Sequence, residues 1–117
     1  MALKVQTQVS GDVFILYCEG RIVFGDEGAA LRERIRNMFS GTPKIVVNLQ
    51  GVDHIDSGGL GILVGLFISA TNRGGELKLV APNQHVTDVL RRTKLDNTFR
   101  VYGNNDEAVA AFRKQVV

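Results

Sequence analysis

Apolar and polar positions divide the chain into short segments whose period changes several times. Leu3 to Val9 alternates weakly, the period of two expected of a strand with one face in solvent. Gly11-Asp12 marks a tight turn. Val13 to Cys18, rich in β-formers, predicts a more buried second strand that Gly20 breaks. From Asp26, apolar residues recur at Ala30, Leu31, Ile35, Met38 and Phe39 between arginines, a helical spacing with Ser40-Gly41 as its stop. Lys44 to Leu49 is a nearly continuous apolar run of the kind found in central strands. A short loop through Gly51, Val52 and Asp53 leads to a second helix from Ser57 to about Asn72, closed by Arg73-Gly74-Gly75. Glu76 to Val80 predicts a fourth strand, and Pro82-Asn83 precedes a third helix through Val86, Val89 and Leu90. Thr98 to Tyr102 predicts a short fifth strand, and Asp106-Glu107 caps a last helix carrying Val109, Ala110 and Phe112.

Two strands open the chain, and strands alternate with helices thereafter. The expected class is therefore α/β: one domain over residues 1–117, with a mixed sheet of four or five strands and about four helices packed on one face. Composition is consistent with this. At 117 residues, 44% hydrophobic and 22% charged, the chain suits one self-sufficient core and not a disordered tail. The formal net charge of +2 is too small for a nucleic-acid footprint, so Arg32, Arg34, Arg36 and Arg91, Arg92, Lys94 read as solvated helix faces. A single cysteine excludes an internal disulfide framework. Cys18 lies in an apolar run and reads as a buried small hydrophobe, which suits a reducing compartment. Met1-Ala2-Leu3-Lys4 leads directly into alternation, not into a signal core. The longest charge-free stretch, Ser57 to Asn72, has 16 residues, short of the about twenty a membrane span needs. The expected setting is cytoplasmic, with no membrane insertion and no nucleic-acid partner.

That charge-free stretch is the informative one. Ser57 is placed to cap the helix, its hydroxyl accepting from the backbone N–H of Gly59 or Leu60. Leu60, Leu63, Val64, Phe67 and Ala70 or Thr71 form the expected core stripe. A surface helix would show charge on its opposite side. Here that side is Gly58, Gly61, Ile62, Gly65, Leu66 and Ser69. Glycine inside a helix costs about 1 kcal/mol relative to alanine. Either the helix is covered on both sides within the domain, or its smooth face is a docking surface. So short a chain has little material for a second covering layer, which favours docking. A phosphate on Ser57 would add about −1.5 to −2 charges and three acceptor oxygens, which the helix N-terminus and the Gly58 and Gly59 amides could receive. The fold would tolerate it, whereas a partner packed on the same spot would not.

The run Ile55-Asp56-Ser57-Gly58-Gly59-Leu60-Gly61, after Ile45-Val46-Val47-Asn48-Leu49 and before Arg73-Gly74-Gly75-Glu76-Leu77-Lys78-Leu79, closely resembles the STAS domain of bacterial anti-sigma factor antagonists. The resemblance covers nearly the whole chain. It implies that Ser57 is phosphorylated by a partner that is both serine kinase and anti-sigma factor, with Asp56 its orienting neighbour. The unphosphorylated antagonist would bind this kinase and free the sigma factor, and a serine phosphatase would restore the active form. Partner contacts are then expected at Asp56, Gly58, Gly61, Ile62, Gly65, Leu66 and Arg21, with no cofactor. One departure concerns the loop near the serine. Many phosphorylatable members carry an acidic residue and then an aspartate after the glycine that ends their second strand; here the segment reads Gly20-Arg21-Ile22-Val23. Arg21 could instead attract a phosphate or pair with Asp56. STAS-like domains also serve as accessory or scaffold modules of transporters and sensing complexes, which leaves that alternative open for the same helix face, without phosphorylation.

Enzymatic readings are weaker. Gly59-x-Gly61-x-x-x-Gly65 lacks the dinucleotide-binding spacing, and the following strand ends at Val80-Ala81-Pro82 without the acid a ribose needs. Asp53, His54, Asp56 and Ser57 are too close in sequence to converge as a triad. Two scattered histidines and one cysteine make no metal set. His54 is expected as a loop or pocket residue beside the serine, and His85 as a helix-start residue with no evident partner.

Overall fold

The structure is a computed structural model and describes residues 3–38, 41, 43–80 and 83–114. Gly11-Asp12 joins β1 (Lys4–Ser10) to β2 (Val13–Ile22) in a hairpin that sets Ser10 opposite Val13. With β3 (Lys44–Ile55), β4 (Glu76–Val80) and β5 (Val101–Tyr102) they form one sheet in the order β1-β2-β3-β4-β5. Among the described residues only the β1–β2 pairing is antiparallel. The helices are α1 (Asp26–Asn37), α2 (Ser57–Asn72), α3 (Gln84–Arg92) and α4 (Asn105–Lys114). The mixed sheet and the four helices match the expected α/β class.

Strand alternation sorts the core into two layers. On one face, Ile45, Val47 and Leu49 of β3 join Leu16 and Cys18 of β2 and Leu77 and Leu79 of β4 beneath α1, α2 and α3. On the other, Val13, Ile15, Val46 and Val80 pack against Ala108, Val109 and Phe112 of α4. Asn48 Nδ2 on that side donates to Asn105 Oδ1 at 2.9 Å. One-face packing thus holds for α1 to α3, while α4 covers the opposite face. A central strand as apolar as β3 needs both faces covered, and the last helix supplies the second cover.

Two strands run further than their glycines suggest. β2 continues through Gly20, which adopts φ 109° beside a register shift, and ends at Ile22. β3 continues past Leu49 through Gly51, Val52 and Asp53 to Ile55, where a loop was expected. Pairing of Gly20 with Val52 and of Ile22 with Ile55 carries both extensions, and Val52 and Ile55 are buried. β5 is shorter than its sequence pattern and keeps only Val101–Tyr102. Phe39, Ser40, Ala81 and Pro82 lie outside the described residues. Cys18 is fully buried, and burial pushes its thiol up to about 12, so it stays an unreactive hydrophobe. Among the described residues no helix is long and apolar enough to cross a membrane.

Candidate functional site

Because β2, β3 and β4 are parallel, their C-terminal ends share one edge of the sheet, and α1, α2 and α3 each begin there. Open α/β sheets commonly place their sites at this edge. The start of α2 is built around Asp56. In extended conformation at φ −103°, Asp56 is the N-cap, and its Oδ1 accepts from the Gly59 N–H at 2.7 Å. The cap expected of Ser57 therefore belongs to its neighbour, and Ser57 is the exposed first residue of the helix. An ionised carboxylate suits the positive end of the helix dipole better than a hydroxyl does. Asp56 also reaches across to the β2–α1 loop, accepting from the Phe24 N–H at 3.1 Å on Oδ1 and 3.2 Å on Oδ2. The Gly59 amide first, then those of Phe24 and Gly58, hold its carboxyl below the usual carboxylate value.

A depressed folded-state pKa has a defined sign. The stabilisation is complete above the ordinary carboxylate range and disappears as pH falls through the folded-state value. Asp56→Ala should cost about 1–2 kcal/mol at neutral pH, and the difference from wild type should shrink in acid. Asp56→Asn, which keeps an acceptor, should cost less. Urea denaturation at pH 7 and pH 3 checks both.

The glycines of α2 divide into two kinds. A Cβ on Gly58 would lie 2.5 Å from Phe24 Cβ, and one on Gly59 would collide with the Ile22 carbonyl oxygen. These two let the end of β2 and the loop after it cross the helix start. Gly61 and Gly65 are exposed, and a Cβ on either would meet nothing within 4 Å. They line a groove of about 570 Å³ between α1 and α2, with Phe24, Ala29, Arg32 and Ile62 among its walls. Leu66, expected on this face, is corrected: it is 1% exposed and belongs to the core with Gly59, Leu60, Leu63 and Ala70. The buried arc of α2 is turned toward Leu66, leaving Thr71 exposed and Val64 half-buried.

Arg21 is exposed near the end of β2, in register with His54. Among the described residues no ion pair joins it to Asp56, whose carboxylate is engaged by backbone amides. His54 lies in β3, not in a loop, and its ring stacks on His85 with centroids 5.1 Å apart. His85 is thus partnered, contrary to the expectation from sequence, and its Nε2 also accepts from the Ile55 N–H at 3.4 Å. No group of three or more His, Cys, Asp or Glu that could hold a metal ion occurs among the described residues. Sequence reasoning missed Phe24, which is 84% exposed at the rim of the groove. The available signal was a lone aromatic outside every periodic segment, directly before Gly25-Asp26.

The model of the STAS domain family matches residues 4–108. A candidate anti-sigma factor antagonist of Thermotoga maritima is 37% identical over 75 residues, which cover 64% of this chain and 66% of the relative. The matches span just under two thirds of the length of the curated relatives. The crystal structure of a candidate anti-sigma factor antagonist from Thermotoga maritima superposes with a TM-score of 0.86 at 28% identity, covering 93% of this chain and 94% of that one. That of an anti-sigma factor antagonist from Mycobacterium paratuberculosis superposes at 0.81 with 25% identity, covering 96% and 95%. With the family match running from β1 into α4 and the same fold found in both solved structures, the chain belongs to the STAS domain family.

Proposed function

We propose that the chain is an anti-sigma factor antagonist, the role its relatives are named for. Unphosphorylated, it docks the exposed face of α2 on an anti-sigma factor serine kinase and so frees the sigma factor. The kinase then transfers the γ-phosphoryl group of ATP to Ser57: the Oγ–P bond forms, ADP leaves, and the hydroxyl proton passes to a base of the kinase. The complex separates, and a serine phosphatase hydrolyses the ester. The chain supplies a nucleophile and a surface, performs no catalysis of its own and needs no cofactor. Such partners place its work in the cytoplasm.

The observation that carries this reading is the spare hydroxyl of Ser57. Asp56 does the capping, so modifying Ser57 removes no helix-stabilising bond. One and two turns along α2, Gly61 and Gly65 lie open, and among the described residues nothing stands within 4 Å of a Cβ on either. A partner seated closely on that face would meet the phosphate dianion directly, and desolvating it is costly.

The test is calorimetric binding of the anti-sigma factor kinase to wild type, Ser57→Ala and Ser57→Asp. Wild type and Ser57→Ala should bind alike, and Ser57→Asp about a hundredfold more weakly, the scale of an unpaired charge desolvated in an interface. Equal affinities for all three would reject the switch. As a companion variant, Gly65→Arg should abolish binding while leaving stability within about 1 kcal/mol of wild type. A second reading, an accessory or scaffold module of a transporter or sensing complex, is favoured by Arg21 and Val23, which stand where, by the resemblance, many phosphorylatable members carry acids. It predicts co-purification with a transporter and unchanged sigma-dependent transcription on deletion.

A further inference from the structure

We infer that Phe24 is the anchor by which the kinase recognises this chain as its protein substrate, an inference that rests on the proposed function. Phe24 is 84% exposed, ahead of Val9 at 63%, Ile68 at 54% and Val101 at 42%. Its ring therefore stands in solvent and is not folded into the groove it borders. Its backbone, in contrast, is braced. The N–H is held by both oxygens of Asp56. The main chain passes so close to α2 that a Cβ on Gly58 would sit 3.0 Å from Phe24 Cα. One residue earlier, the Val23 carbonyl oxygen lies against α1, where a Cβ on Gly28 would come within 2.6 Å of it. These contacts fix the backbone from which the ring projects into solvent.

An aromatic ring offered on a fixed backbone combines large buried area with a low ordering cost on binding, the two properties of an interface hot spot. Its position selects the occupant. The Phe24 backbone and Cβ lie against Gly58, the residue next to Ser57, so the exposed ring stands beside the surface that an enzyme closing on Ser57 Oγ would occupy. The partner chemistry that fits is an apolar pocket beside the phosphoryl-transfer site of the kinase. Because the ring lies off the reacting atoms, it contributes equally to the ground state and the transition state, and its loss should appear in KM.

The experiment measures Ser57 phosphorylation by a purified anti-sigma factor serine kinase with Mg·ATP, for wild type, Phe24→Ala, Phe24→Leu and Val101→Ala. Phe24→Ala should raise KM for the protein substrate about tenfold or more with kcat nearly unchanged. Phe24→Leu should recover part of the loss, and Val101→Ala, exposed on β5, should behave as wild type. Thermal midpoints of all variants should agree, since the ring packs on little within the chain. Unchanged KM for Phe24→Ala on a wild type that is phosphorylated would overturn the anchor and leave the proposed function standing. A wild type neither bound nor phosphorylated would overturn both. Sedimentation of the free chain adds a third outcome: a dimer dissolved by Phe24→Ala would assign the ring to a second copy and overturn the inference.

Discussion

Gly59→Ala is expected to destabilise the fold by about 3 kcal/mol or more, an overpacking effect at a site that cannot relax. The neighbouring Gly61→Ala should stabilise it by up to about 1 kcal/mol. Both residues lie in the first half of α2, and the difference is what stands over them. The added methyl at Gly59 would fall inside the Ile22 carbonyl oxygen and lie 2.6 Å from its carbon and 3.1 Å from Cγ2. Ile22 has little room to retreat. It pairs with Ile55 in the sheet, and its carbonyl accepts the Asp56 N–H at 3.4 Å. The helix start would have to lift, taking Leu60 and Leu63 out of the core. Gly61 has nothing within 4 Å of its added methyl, so alanine brings only a gain in helix propensity. Urea denaturation of the two variants decides the matter: similar free-energy changes would mean that the end of β2 yields easily and is no fixed part of the site.

This pair differs in three dimensions and not in sequence. The string Ser57-Gly58-Gly59-Leu60-Gly61 marks the site plainly, yet its glycines look alike in one dimension. Which of them is pressed by backbone depends on the distant end of β2 and the loop that follows it. Phase along α2 was illegible for a related reason. The helix carries no charge from Ser57 to Asn72, so no polar arc shows which side faces the core, and the pattern puts Leu66 outward although it is buried. Asp56 and Ser57 are both good capping residues; the tie is broken by the Phe24 amide, a tertiary contact. The alternation of elements was readable because each strand carries its own apolar run. Strand ends were not, since Gly20 and Gly51 look like breakers until cross-strand pairing holds them. The placement of α4 carries no sequence signal either, since Lys78, a charged residue in the middle of β4, is sealed beneath that helix.

Glu76→Ala should cost about 3 kcal/mol or more because it strands that lysine. Lys78 is 0% exposed, and its Nζ lies 2.9 Å from Glu76 Oε1, two residues earlier on the same strand face. The faces of Phe112 and Tyr102 stand 4.7 Å and 5.4 Å from the ammonium. Ring faces attract a cation but do not replace its hydration, so the carboxylate carries most of the compensation. The second contact of Glu76, to Arg100 Nε at 3.5 Å, involves an exposed guanidinium and adds little. Lys78→Met keeps the buried methylenes against Phe112 and removes the charge, so it should be neutral or stabilising by about 1 kcal/mol or more. Combining Glu76→Ala with Lys78→Met should then restore most of the loss, a strongly non-additive double-mutant cycle. A Glu76→Ala variant within about 1 kcal/mol of wild type would show that the rings alone satisfy the ammonium. Because α4 and its cluster lie on the sheet face away from α2, none of these variants should alter kinase binding. A parallel loss of binding would mean that the two faces of the sheet are coupled through β3 and β4.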